Sequence, residues 1–229
     1  MGPTPRCREA FISMKIAILI PGHLRAWHMC KENFMHTLYD IENYEIDVFV
    51  DTYHQVFRTT AASRNEKDVV IVKSEDQIRE MFDGINVVNY KIQNEDTTPD
   101  VSDVENHQLT RIRSISKDFE KYCIENNKEY DLVVRTRFDI IINNKINYDV
   151  IYDACMRDNN LVFIGNGVNH NGPNDMISIG LMHANKIILE RENIYMHCVA
   201  GRLSFDSSIW HKIVRYNENM ELVPEQHFG

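Results

Sequence analysis

The stretch KIAILIPGHLR, residues 15–25, decides how the rest of the chain is read. It holds an apolar run, Ile16 to Ile20, with no polar alternation, the pattern of a strand buried on both faces. Pro21 and Gly22 follow, then a helical pattern over residues 26–39 with Trp27, Cys30, Phe34 and Leu38 on one face. A strand, a sharp turn and a helix in that order are the first half of a parallel βαβ unit. The alternation continues with strands at 46–50, 69–72 and 87–88. The capping-box pattern SEDQ at 74–77 opens a helix that runs to about Phe82. From about 103 to 125, Leu109, Ile112, Ile115, Phe119, Tyr122 and Cys123 keep the 3.6-residue period of a long helix. Strands then follow at 131–136, 161–165 and 176–180, with a further apolar run from Ile140. Helices at 183–197 and 206–217 and a last strand at 221–223 complete the chain. Residues 91–103 and 166–175 read as loops. The expected fold is a single α/β domain with a mostly parallel central sheet flanked by helices, more mixed in its second half.

Composition agrees and removes other classes. With 229 residues, 43% hydrophobic and 26% charged, the chain is neither a disordered tail nor a fibre. It is long enough to bury roughly 70% of its unfolded surface without a disulfide or metal staple. The balance of 25 Lys and Arg against 34 Asp and Glu, net −9, disfavours a polyanion such as nucleic acid. A local basic pocket for one or two phosphates stays open. The five cysteines (Cys7, Cys30, Cys123, Cys155, Cys198) form no C-x-x-C pair and no disulfide framework. There is no N-x-S/T sequon and no apolar run near the ~20 residues of a membrane span, so no transmembrane segment is expected. Residues 1–13 lack a signal peptide's apolar centre and are expected to be an extension upstream of a domain at 14–229. A cytoplasmic, reduced protein is the expectation.

Open α/β sheets bind ligands outside the carboxyl ends of their strands. After the first strand, Pro21, Gly22 and His23 offer close backbone approach and Arg25 a cation at a helix start; the same residues also make an ordinary strand-to-helix turn. After the second, Asp51 suits a ribose hydroxyl and Tyr53 a base, or Asp51 caps the turn. Arg135, Arg137 and Asp139 are costly beside a buried strand unless they face one another or a ligand. The arginines suit a diphosphate and Asp139 suits Mg2+ or Mn2+; a structural ion-pair network uses the same residues. In the Gly/Asn-rich loop 165–175, Asp175 is placed as a base for an attacking hydroxyl, although such loops are also plain turn chemistry. No G-x-S-x-G, P-loop or H-E-x-x-H motif occurs.

Taken in order, Pro21 to Arg25 (P-G-H-L-R), Asp47 to Tyr53 (D-V-F-V-D-T-Y), the long helix, Tyr130 to Asp139 (Y-D-L-V-V-R-T-R-F-D) and Asn174 to Gly180 (N-D-M-I-S-I-G) form one pattern. It resembles GT-A-type glycosyltransferases of bacterial polysaccharide loci and large DNA viruses, chlorovirus domains in particular. The resemblance covers nearly everything from Met14 onward. It implies a GT-A-like, Rossmann-related fold, a nucleotide diphosphate sugar donor, a glycan or glycoprotein acceptor, and transfer of a hexosyl or deoxyhexosyl unit in a cell's cytoplasm. It also implies that Pro21, Gly22, His23, Arg25, Asp51, Tyr53 and Arg135 hold the nucleotide. Asp175 would act as base and Arg137 would stabilise the leaving diphosphate. Such enzymes usually hold Mn2+ or Mg2+ through D-x-D, which is absent here. Asp139 is the remaining carboxylate, and Arg137 stands where the first aspartate usually does. Two other functions fit the same fold: a non-catalytic nucleotide-sugar or glycan-binding module, and a Rossmann-type methyltransferase using Asp51 for ribose.

Overall fold

The computed structural model describes residues 13–24, 26–57, 70–94, 104–159, 161–164, 176–189, 213–216 and 222–223. Its first half runs β1 (Met14–Pro21), α1 (Trp27–Phe34), β2 (Tyr44–Tyr53), β3 (Gln55–Phe57), β4 (Val70–Val72), α2 (Glu75–Glu80), β5 (Val87–Gln93) and α3 (Val104–Asn126). The second half runs β6 (Leu132–Arg135), α4 (Tyr148–Arg157), β7 (Val162–Ile164), β8 (Ser178–Gly180), α5 (Met182–Leu189), β9 (Ile213–Tyr216) and β10 (Leu222–Val223).

The main sheet has the order β10-β9-β7-β8-β6-β1-β2-β5. β5, β2, β1 and β6 are mutually parallel. Counted within that set they stand third, second, first and fourth, the arrangement of a doubly wound half-sheet whose order reverses between β1 and β6. β8 enters antiparallel between β6 and β7, and β9 lies parallel to β7. The domain is therefore α/β with a mostly parallel sheet between two helical layers, as the sequence pattern implies.

Side chains alternate across the sheet, and each face finds its own helices. Ile16, Ile18, Ile20, Val48, Val50 and Val134 pack with Trp27 and Phe34 of α1, Ile78 of α2 and Ile151 of α4. Ala17, Leu19, Phe49 and Val133 face Ile112, Ile115 and Phe119 of α3 and Leu189 of α5. α1 ends in a wide π turn, Met35–Tyr39, whose loosened carbonyls are taken from elsewhere. Ile146 N–H donates to Thr37 O and the buried Tyr148 hydroxyl to Leu38 O, at 2.9 and 2.8 Å. α2 carries the expected capping box between Ser74 and Gln77.

Several elements differ from the pattern reading. β2 continues three residues past Val50, because Asp51 and Tyr53 take sheet positions that a hydropathy run does not include. β5 runs seven residues rather than two: as the sheet's edge it is half-buried and mixes polar with apolar residues. β4 pairs with β3 in a separate two-stranded sheet and does not join the parallel one. α4, capped by the Asn147 side chain on Val150 N–H, has no counterpart in the strand-by-strand reading. Residues 213–216, expected inside a helix, form β9: Ile213 and Val214 are β-branched, and β7 offers a parallel partner. The extension (1–12), the loops at 95–103 and 165–175, and residues 190–197 and 206–212 of the two expected C-terminal helices lie outside the described residues. No helix among the described residues is long and apolar enough to cross a membrane.

Where β8 is squeezed between β6 and β7, Gly180 leaves no room for a side chain. A Cβ there would stand 2.9 Å from the Leu161 carbonyl oxygen, a backbone atom that cannot swing away. Gly180→Ala is expected to cost about 1–3 kcal/mol in a urea titration. An unchanged midpoint would mean that the β7–β8 pair yields freely.

Candidate functional site

The strand order reverses between β1 and β6, and open α/β sheets bind ligands at the carboxyl ends of such strands; the sheet register decides which residues lie there. Leu19 pairs with Arg135, and Pro21 pairs with Asp51. Beyond β1 the chain turns at Gly22, whose φ of +122° suits glycine. Gly22 N–H donates to Asp51 O at 2.9 Å, and Gly22 O accepts from the Thr52 hydroxyl at 2.8 Å. These bonds tie the Pro21–Gly22–His23 turn to the end of β2. Arg25 lies outside the described residues.

β2 carries two buried aspartates on the face covered by α3, four residues apart, and they are treated differently. Asp47, toward the amino end, is saturated. Asn86 Nδ2 donates to its Oδ1 at 2.7 Å, and Lys128 Nζ and the Tyr130 hydroxyl donate to Oδ2 at 2.5 and 2.6 Å. Asp51, at the carboxyl end, is 0% exposed. Its Oδ1 accepts from Arg111 Nη1 at 3.1 Å and, at 3.4 Å, from Gln93 Nε2. Its Oδ2 is buried with no hydrogen-bond partner among the described residues. Leaving such an atom unsatisfied costs roughly 1–3 kcal/mol, so the carboxyl edge holds a cost that the amino edge has removed.

Burial raises the Asp51 carboxyl above its ordinary value, against the opposing pull of the Ser114 hydroxyl and the Arg111 and Lys91 charges. The native state then keeps a proton at pH values where the unfolded chain has released it, so stability falls as pH rises through that range. Asp51→Asn lacks this slope. Whatever constant offset comes from Arg111, the stability difference is expected to shift in favour of the variant as pH rises above the ordinary carboxylate range. Parallel pH profiles of the two urea midpoints would remove Asp51 as the titrating group.

Tyr53 is buried beneath two neighbours. The His23 ring stacks on it, centroids 4.4 Å apart at 19°, and the Arg111 guanidinium lies 4.2 Å from its centroid. Groups that close cannot share one face, so both faces of Tyr53 are taken. The ring that this arrangement leaves partly exposed for a base is His23 rather than Tyr53. Arg111 also donates from Nε to the Tyr53 hydroxyl at 2.6 Å. The sequence reading missed Arg111, which approaches from α3. The available signal was the polar row Arg111, Ser114 and Asp118, one helix turn apart beside the apolar stripe. Lys91 Nζ meets the other two members at 2.7 and 2.8 Å.

At the end of β6, Arg135 is 1% exposed and shares the α3 face with Leu19. Thr136, buried on the opposite face, has an Oγ1 with no hydrogen-bond partner among the described residues. Arg137 and Asp139 make a two-point fork, Nε to Oδ1 and Nη2 to Oδ2, both at 2.8 Å. A divalent cation on Asp139 would therefore have to displace a guanidinium. One carboxylate committed to an arginine at both oxygens does not fit Mn2+ or Mg2+. Among the described residues no group of three or more His, Cys, Asp and Glu side chains is gathered for one either. Asp175 lies outside the described residues.

A cavity of about 300 Å³ opens beside the edge strand, lined by Asn89, Lys91, Asp118 and Tyr122 among others. It flanks β5 and α3 and does not lie at the switch between β1 and β6, where the buried charges are concentrated.

No family model matches the sequence, and no curated protein matches it. Among solved structures, a cytidylyltransferase from Leptospira borgpetersenii serovar Hardjo-bovis is similar over 89% of this chain and 76% of its own, at 13% identity and a TM-score of 0.42. An overlay that loose carries no argument about this chain.

Proposed function

We propose that this chain is a glycosyltransferase that moves a hexosyl or deoxyhexosyl unit from a nucleotide diphosphate sugar to a hydroxyl of a glycan acceptor. The observation that supports it best is the gathering of buried charge at the switch point. Asp51 has an open carboxylate oxygen, Arg111 and Arg135 lie on the same face, and the Arg137–Asp139 fork follows directly. Such a group suits a ligand with a ribose and a diphosphate better than it suits a packed core, where charges are costly unless satisfied.

In this reading the nucleoside lies over Pro21, Gly22 and His23, and Asp51 accepts from the ribose. The bond from the anomeric carbon to the diphosphate breaks as an acceptor oxygen bonds to that carbon. Negative charge then grows on the departing diphosphate, beside Arg135 and Arg137. Asp139 holds the Arg137 guanidinium at two points, which fixes its plane before charge develops; such preorganisation is usually the largest electrostatic contribution to rate. Asp175 is the proposed base for the acceptor proton.

A thermal-shift panel of nucleoside diphosphates and their sugars tests this. A donor at a hundred times its Kd is expected to stabilise the fold by about 2.7 kcal/mol. No shift with any of them would sink the proposal, and a shift with S-adenosylmethionine alone would favour a methyltransferase. The Arg137–Asp139 fork favours one second reading, a nucleotide-sugar-binding module without turnover. Donor binding with neither transfer nor donor hydrolysis, with or without Mn2+, would establish it.

A further inference from the structure

We propose that Arg111 is the positioning residue of the nucleoside subsite: it fixes the Asp51 carboxylate and, through the Tyr53 ring, His23, so that Asp51 Oδ2 accepts a hydrogen bond from a ribose hydroxyl. The inference rests on the nucleotide reading above and adds a residue on a different element, with its own signature.

One guanidinium makes three contacts here: 3.1 Å to Asp51 Oδ1, 2.6 Å to the Tyr53 hydroxyl and 4.2 Å to the Tyr53 ring centroid. Tyr53 in turn stacks with His23. A planar, forked cation can bond the carboxylate and the hydroxyl while lying against the Tyr53 ring, a shape that a compact lysine ammonium lacks. By occupying Oδ1 alone, Arg111 leaves Oδ2 as the carboxylate's open acceptor. An ionised carboxylate only accepts, so the group that completes it must be a donor. Asp47 is the internal contrast: on the same strand and face, its carboxylate has both oxygens satisfied by its own chain.

Burial raises the Asp51 carboxyl, and Arg111, with the Ser114 hydroxyl and Lys91, pulls it back toward the ionised form. The groups facing Asp51 are Arg111 and Ser114 from α3, Lys91 and Gln93 from β5, Tyr53 on its own strand, and Arg135 from the same face of β6. His23 lies behind Tyr53. Lys91 is committed to Ser114 and Asp118, and Arg111 is the cation hydrogen-bonded to Asp51. Its removal leaves burial less opposed, and the carboxyl becomes easier to protonate.

The test is calorimetric titration of the full chain with the diphosphates of uridine, guanosine, cytidine and adenosine and their 2′,3′-dideoxy counterparts, at about pH 5.5 and pH 8. Wild type is expected to bind at least one of them and to prefer the ribose form. Arg111→Met should weaken that nucleotide by roughly tenfold or more and reduce the ribose preference, with the larger loss at the lower pH. Arg111→Lys keeps the charge and should restore the wild-type pH profile without the full affinity. Should Arg111→Met fail to fold, Arg111→Lys and Tyr53→Phe carry the same comparison. Wild-type affinity, ribose preference and pH profile in the Arg111 variants would overturn the role of Arg111 alone. A wild type that binds none of the eight compounds would overturn the nucleotide reading, and this inference with it.

Discussion

Arg137→Met is expected to slow sugar transfer by ~10²–10³-fold, the usual consequence of removing one preorganised donor from a developing anion. The fold should lose far less. The Arg137 side chain is 28% exposed and Asp139 11%, so water partly screens the pair and re-solvates the carboxylate once its partner is gone. A drop in rate without a matching drop in urea midpoint separates a catalytic role from a structural one. Arg137→Lys sharpens the comparison. It keeps the charge and loses the two-point fork with Asp139, so its rate should fall between wild type and Arg137→Met. Transfer by Arg137→Met within threefold of wild type would remove Arg137 as the leaving-group cation. Asp139→Ala should behave like a weaker version of the same lesion, because it frees the guanidinium without removing it.

The largest loss of stability is expected from Trp27→Ala, about 3–5 kcal/mol in chemical denaturation. Trp27 is 1% exposed where three elements meet. Its ring stacks on Phe82 with centroids 5.1 Å apart and meets Phe34 and Phe138 edge-on at 5.4 and 5.6 Å. Its Nε1 donates to Met81 O at 3.0 Å. Truncation opens a cavity and leaves that carbonyl without its donor. Trp27→Phe keeps most of the ring and loses the bond, so it should cost nearer 1–2 kcal/mol. Phe138 lies between Arg137 and Asp139 in the chain, so the same variant should also lower activity by loosening the fork. A loss under 1 kcal/mol for Trp27→Ala would show that the surrounding aromatic rings close over the gap.

The parallel core was legible because strands buried on both faces are apolar throughout, and Ile16 to Ile20 and Leu132 to Val134 are short runs of that kind bounded by polar or turn residues. The cluster of charge at the candidate site was legible in outline for a related reason. Charge at the end of an apolar run needs a cause, and Asp51, Arg135, Arg137 and Asp139 all carry that signal. The geometry among them was not legible. Nothing in the order of residues says that His23 and Arg111 would cover both faces of Tyr53, or that Arg137 would bind Asp139 rather than leave it open. The contacts of Tyr53 with His23 and Arg111 join residues brought together only by the sheet and α3, as with Arg111 and Asp51, whereas Arg137 and Asp139 are neighbours in the chain whose choice between each other and a ligand the sequence leaves open. Boundaries failed where exposure is intermediate, as in β5, whose polar residues belong to an edge strand. α4 was missed although Tyr148, Ile151 and Cys155 keep helical spacing, because attention to apolar runs passes over a mixed segment.

The strand order also sets a sequence of events on the ribosome. The four parallel strands and α3 are all synthesised by residue 135, so this half of the sheet, with Asp51, Arg111 and Arg135, has what it needs to form early. Its outer edge is then β6, apolar at Leu132, Val133 and Val134 and unpaired on one side until Ser178–Gly180 emerge in the last quarter of the chain. A nascent chain paused in that interval presents a short apolar strand to any neighbour able to pair with it. The three residues of β8 close that edge from aggregation, a role that their small size within the finished sheet does not suggest.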